Sequence, residues 1–193
     1  MGIGKEINDL MRDIGYTFKD ITFLETALTH SSYTNEMKQK GFRAESNESL
    51  EFLGDAVLEI VISEYLFERY AKRGEGTLSK LRQTVVCEST LSKIAAKLSL
   101  GDYLNVGTAE EGQGLRKRNK ILADALEALI AAVYLDDRTN SNGVVYPGIV
   151  IRLFEKEIES IQKNGMRRIP FLIVYLLLIS FVRSVGATIL PSL

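Results

Sequence analysis

The 193-residue chain has one cysteine, Cys87, and one histidine, His30. A single cysteine excludes an intrachain disulfide and suits a reducing compartment, so a cytoplasmic location is expected. A single histidine denies the chain the Glu-x-x-His pairs of a di-iron bundle. The opening MGIGKEINDLMRDIGY holds no long apolar stretch and predicts no secretory signal. Glu6 stands where a myristoylation motif calls for Ser or Thr. Strand-like alternation is missing, and so is any internal repeat. A composition 46% hydrophobic and 25% charged is ordinary for a globular domain.

The charges are unevenly spread. All 25 acids precede Gly165, together with 21 of the 24 lysines and arginines. An acidic body does not hold nucleic acid by bulk charge alone. It can still act on a polyanion where bound cations invert the local sign.

What is present is helical patterning, and the body over residues 1–164 reads as one compact all-α domain. Asp20 is an expected N-cap for ITFLETALTH. A long helix is predicted over Glu48–Arg69 and ends at KRGEG. Thr77 is expected to cap LSKLRQTVV, and Ser89 to cap TLSKIAAKLSL. A glycine-rich loop, NVGTAEEGQG, follows, and then a helix over Lys120–Tyr134. After the polar loop DDRTNSNG comes one amphipathic segment over Pro147–Lys163. Cys87 is expected to be a small buried hydrophobe.

Residues 165–193 form a hydrophobic tail of different character. Its uncharged core, Ile169–Val182, is 14 residues long, whereas a spanning helix needs roughly 20. A membrane anchor with Arg167 and Arg168 on the cytoplasmic side is one reading. A helix packed on the body and a segment that is not evolved structure are the others, and together they outweigh the anchor.

The long helix carries an anomaly. At about 100° per residue, Glu48, Glu51 and Asp55 share one face, and Glu59 extends the stripe. The remaining faces hold Phe52, Leu53, Val57, Leu58, Ile60 and Val61, an all-round apolar pattern that predicts burial. The helix KILADALEALIAAVY repeats the oddity with Asp124 and Glu127 at i, i+3. Its alanines permit close packing, so the two acidic notches are expected to face each other. Four carboxylates converging without matching lysines make a hard-cation site, better suited to Mg²⁺, Mn²⁺ or Ca²⁺ than to zinc. Paired Mg²⁺ ions suit in-line attack of water on a phosphodiester. A glycosidase needs two acids, which leaves the second pair unexplained.

NESLEFLGDAVL resembles the signature of the ribonuclease III family. LTHSSYTNE, GEGTLSKLR and ILADALEALIAAVYLD resemble further family segments in the family order, over roughly residues 5–160. The resemblance implies an all-α endonuclease domain that cuts double-stranded RNA as a homodimer, with Mg²⁺ or in its place Mn²⁺. It implies 5′-phosphate and 3′-hydroxyl products, staggered ends, and a part in rRNA or mRNA precursor processing. Glu51, Asp55, Asp124 and Glu127 match the metal ligands, with Asp55 and Glu127 the catalytic pair. Glu48 and Glu75 match supporting acids, whereas Glu59 matches none. The family's bacterial form continues into a double-stranded-RNA-binding domain, which nothing after Lys163 resembles. A Gly-Gly-Arg of the family here reads Gly114, Leu115, Arg116.

Arg116, Lys117, Arg118 and Lys120 are candidate phosphate contacts or a solvated charge run. His30 is expected to be structural, with Tyr33 and Asn35 in loop packing. The rival function is a catalytically impaired relative that binds structured RNA or a protein partner.

Overall fold

The computed structural model describes residues 7–141, 143 and 145–163, and they form an all-α domain without a β-strand. The helices are α1 (Ile7–Ile14), α2 (Ile21–Ala27), α3 (Ser31–Gln39), α4 (Glu48–Tyr70) and α5 (Glu75–Val85). They continue as α6 (Glu88–Lys97), α7 (Thr108–Gly112), α8 (Asn119–Ser141), α9 (Tyr146–Leu153) and α10 (Glu155–Lys163). The one isolated bridge among the described residues pairs Thr29 with Asn105. No described helix is long and apolar enough to cross a membrane. The tail over 165–193, and with it the boundary at 164, lies outside the described residues.

The core forms around α4 and α8, whose mutual contact is the most extensive in the fold; α6 and α2 also pack on α8. Leu58, Ile62 and Leu66 of α4 are buried with Leu126, Leu129 and Val133 of α8 and Leu91 and Ile94 of α6. Their i, i+3 and i, i+4 spacings place each set on one helix face.

The starts of α2 and α4 follow the sequence expectation. Asp20 caps α2, its carboxylate accepting from Thr22 N at 3.0 Å. His30 is structural, as expected: its Nδ1 accepts from Ser32 N at 3.1 Å and caps α3. Elsewhere the starts shift. α5 begins at Glu75 rather than after Thr77, because Gly74 adopts φ 82° and turns the chain early. α6 begins at Glu88, preceded by Cys87 rather than capped by Ser89. Cys87 is accordingly half-buried and not in the core, with its sulfur 3.2 Å from Ser89 Oγ and 3.4 Å from Thr90 Oγ1. The glycine-rich loop contains α7, which Glu36 anchors by accepting from Thr108 N at 2.8 Å. The segment over Pro147–Lys163 is two helices, separated at the fully buried Phe154.

The largest departure is the length of α8, which runs through most of the expected polar loop to Ser141. Asp136 and Asp137 explain it. Both are fully buried, and both are supplied with donors. Asp136 accepts from Tyr16 Oη at 2.7 Å, Asp20 N at 2.9 Å and Lys19 N at 3.1 Å. Burial, then the bond to Asp136, raises the Tyr16 phenol well above its ordinary value and keeps it a donor. Asp137 accepts from Val145 N at 2.7 Å and Tyr146 N at 2.9 Å, which fixes the start of α9. The end of α8 is thus tied to both the α1–α2 connection and α9.

Asp136→Ala is expected to lower unfolding free energy by about 3 kcal/mol, since buried donors lose a charged acceptor. Urea denaturation measures it. A loss under about 1 kcal/mol would show that the carboxylate does not hold this junction.

Candidate metal centre

The site is built where α4 crosses α8. A Cβ on Gly54 would overlap the backbone carbonyl of Glu127 and lie 3.1 Å from its Cα. Glycine therefore lets the two backbones touch at this level, and any side chain would hold them apart. Glu51 and Asp55 flank Gly54 on α4, while Asp124 lies one turn before Glu127 on α8. The crossing carries the acids of both helices into one notch.

Glu51, Asp124 and Glu127 each offer one carboxylate oxygen, and these oxygens lie within 4.8 Å of one another. All three residues are half-buried. Asp55 is exposed and outside that trio, but its charge is the largest ionic influence on Glu127. Burial, then Asp55, Asp124 and Glu51, push the Glu127 carboxyl up to about 7. Burial, then Asp124, raises Glu51 as well. Carboxylates so placed repel one another, and an oxygen-preferring divalent cation suits them.

Several expectations need correction. The acidic stripe of α4 is not buried: Glu48 and Asp55 are exposed and Glu51 is half-buried. Nor is α4 covered all round, since Phe52 is 83% exposed, Ile60 60% and Phe67 64%. The notch does hold a lysine. Lys120 Nζ lies 3.1 Å from Asp124 Oδ1 and 3.0 Å from Oδ2, so it joins the carboxylates rather than the basic run before it.

Neither supporting acid is among the three that converge, although the charge of Glu48 acts on Glu51. Glu48 accepts from Ser46 Oγ at 3.1 Å at the start of α4. Glu75 opens α5 and accepts from Ser79 Oγ at 2.7 Å. Glu59, left out of the site, sits 3.9 Å from Arg82. Among the basic candidates, Arg116 is turned inward. Its Nε donates to Glu111 at 2.6 Å, and its Nη1 donates to the carbonyls of Gly101 and Leu104. It braces the loop before α8, whereas Lys117 and Arg118 are exposed. Gly54 was the residue missed by sequence reasoning. Its signal was a lone glycine within an apolar helix, beside an acid of the stripe.

The Glu127 carboxyl has a stability consequence. Its folded value of about 7 lies above the ordinary 4.5, so the folded state binds the extra proton between those limits. Metal-free stability therefore falls as pH rises from 4.5 towards 7, and the loss is complete above that. Glu127→Gln removes the loss. The variant is expected to be more stable at pH 8 in chelator by about 1–2 kcal/mol, after discounting for partial exposure. The gain should vanish at pH 4.5, where the wild-type carboxyl keeps its proton. A variant less stable than wild type at pH 8 would refute the repulsion.

The comparisons agree with this architecture. A family profile described as Ribonuclease-III-like matches residues 20–145. Ribonuclease 3 of Clostridium tetani is 52% identical over 131 residues, which is 68% of this chain and 54% of that protein. Ribonuclease 3 of Caldanaerobacter subterraneus subsp. tengcongensis is 47% identical over 159 residues, 82% of this chain and 67% of that protein. The chain thus spans about half the length of the first of these relatives. A nuclease domain of ribonuclease III from Campylobacter jejuni, described for structural flexibility in a region involved in dimer formation, superposes with TM-score 0.69 at 43% identity. The match covers 79% of this chain and 98% of that one. A second structure of the C. jejuni domain superposes with TM-score 0.68 at 40% identity, over 86% and 99% of the two chains. With the profile spanning the α4–α8 crossing and relatives of this identity and coverage, the chain belongs to the ribonuclease III family.

Proposed function

We propose that the chain is a divalent-metal-dependent endoribonuclease that hydrolyses double-stranded RNA to 5′-phosphate and 3′-hydroxyl ends. The observation that carries the proposal is the convergence of Glu51, Asp124 and Glu127 at the α4–α8 crossing, with Asp55 beside them. Glu51, Asp55, Asp124 and Glu127 would hold Mg²⁺, or Mn²⁺ in its place. A bound ion would lower the pKa of water and stabilise charge on the phosphodiester oxygens.

The chain's own residues prepare the site. Burial and the neighbouring carboxylates favour the protonated Glu127 carboxyl in the metal-free state, and ligation requires that proton to leave. The notch faces solvent through Asp55, which gives a phosphodiester access. Lys117 and Arg118 are exposed just ahead of α8 and serve as phosphate contacts. Binding through such contacts weakens as salt rises. rRNA and mRNA precursors in the cytoplasm are the proposed substrates.

The partner is a second copy of the chain. Phe52, Ile60 and Phe67 fall within about 80° of helix rotation on α4 and leave one apolar face uncovered. A two-fold interface would bury that face against its own copy and set two sites on the two strands of a duplex.

The test is cleavage of a long labelled RNA duplex at low salt, with Mg²⁺ and with chelator. Cutting is expected only with the metal. Asp55→Asn and Glu127→Gln should each lower the rate by more than about 100-fold, because loss even of groups that only support a metal ligand costs 10–100-fold. Their helical circular dichroism should be unchanged. A rate unaffected by Asp55→Asn would place the chemistry elsewhere.

A further inference from the structure

The notch is negative, and one side chain in it is not. Lys120 opposes the repulsion at both Glu51 and Glu127. Its ammonium lies 3.0–3.1 Å from the two oxygens of Asp124. The bond to Asp124, and after it the charges of Glu51 and Glu88, favour the charged ammonium.

We infer that Lys120 is a built-in counterion of the metal centre, which occupies Asp124 in the metal-free protein and must yield it when a divalent cation binds. This rests on the metal reading proposed above. An exposed i, i+4 pair is ordinarily weak and carries no such role. This pair differs because its carboxylate is one of the three whose oxygens converge. Two cations on one carboxylate repel each other, so the ammonium and the metal compete. The exchange is sterically easy, because the Lys120 side chain is 69% exposed and can swing into solvent. It also has a direction. One ammonium faces the converging carboxylates of Glu51, Asp124 and Glu127, so the lysine only partly neutralises the notch. A divalent ion supplies twice the charge at the same place. Lys120 therefore holds the site together when it is empty and sets how much metal is needed to fill it.

The experiment is Mn²⁺ binding, read from the electron paramagnetic resonance signal of the free ion. It uses wild type, Lys120→Met, Lys120→Arg and Lys117→Met at one pH and ionic strength. Lys120→Met should bind Mn²⁺ on the order of tenfold more tightly, as expected for removing one unit charge near a surface site. Lys120→Arg, which keeps the charge, should stay within about threefold of wild type, and Lys117→Met, which removes a charge outside the notch, within about twofold. In chelator, Lys120→Met should also melt below wild type, because the empty notch has lost its counterion.

Wild-type binding with unchanged affinity in Lys120→Met would overturn the inference and leave the metal reading standing. Weaker binding in Lys120→Met would overturn it too, and would make the lysine an aid to ligation. Equal tightening in Lys117→Met would reduce the effect to bulk charge and overturn it. A wild type that binds no Mn²⁺ would overturn both the metal reading and the inference.

Discussion

The contact of Gly54 with the Glu127 backbone is the constraint on which the site depends. Two long helices crossing at ordinary separation would keep their acidic faces apart. At Gly54 the absence of a Cβ removes the spacer, and a carbonyl of α8 occupies the space. Glu51 and Asp55 then come within range of Asp124 and Glu127. The alanines of α8 on either side, Ala123, Ala125 and Ala128, are buried and keep the crossing tight. At the far end of α8, Asp136 and Asp137 tie the helix to the α1–α2 connection and to α9. A helix held in this way cannot slide to relieve the repulsion at its other end.

That repulsion is the electrostatic cost of the arrangement. A core of the same helices with glutamine at 127 would be more stable without a metal, and the protein forgoes that stability. The carboxylates are assembled in advance, so a cation bound there, as proposed, would meet ligands that need little reorganisation. Lys120 offsets part of the cost in the empty state. The exposed apolar face of α4 belongs to the same economy. Phe52 adjoins Glu51 in sequence, so an interface formed there would also stiffen the helix that carries two of the acids.

Much of this was legible in the sequence, and for a local reason. The acids of α4 and α8 stand at i, i+3 and i, i+4 on helices whose other positions are apolar. Periodicity alone assigns such residues to faces. The all-α class followed from the same patterning. What escaped were features set by partners distant along the chain. Arg116 read as one of a basic run, yet Glu111 and the carbonyls of Gly101 and Leu104 turn it inward. Asp136 and Asp137 read as the start of a polar loop, yet backbone donors over a hundred residues upstream and just downstream make them interior residues. Lys120 read as a phosphate contact or a solvated charge, because its pairing depends on which way the first turn of α8 faces. The exposure of Phe52, Ile60 and Phe67 could not follow from an all-round apolar pattern, which is the same whether a helix is covered by its own chain or by another.

The most direct test of the account is the carbon-13 titration of the Glu127 carboxyl in metal-free protein, in wild type and in Gly54→Ala. The account predicts a wild-type midpoint near 7 and a fall towards the ordinary 4.5 in the variant, as the added methyl group separates the helices. A wild-type midpoint near 4.5, or the same raised value in both proteins, would contradict it.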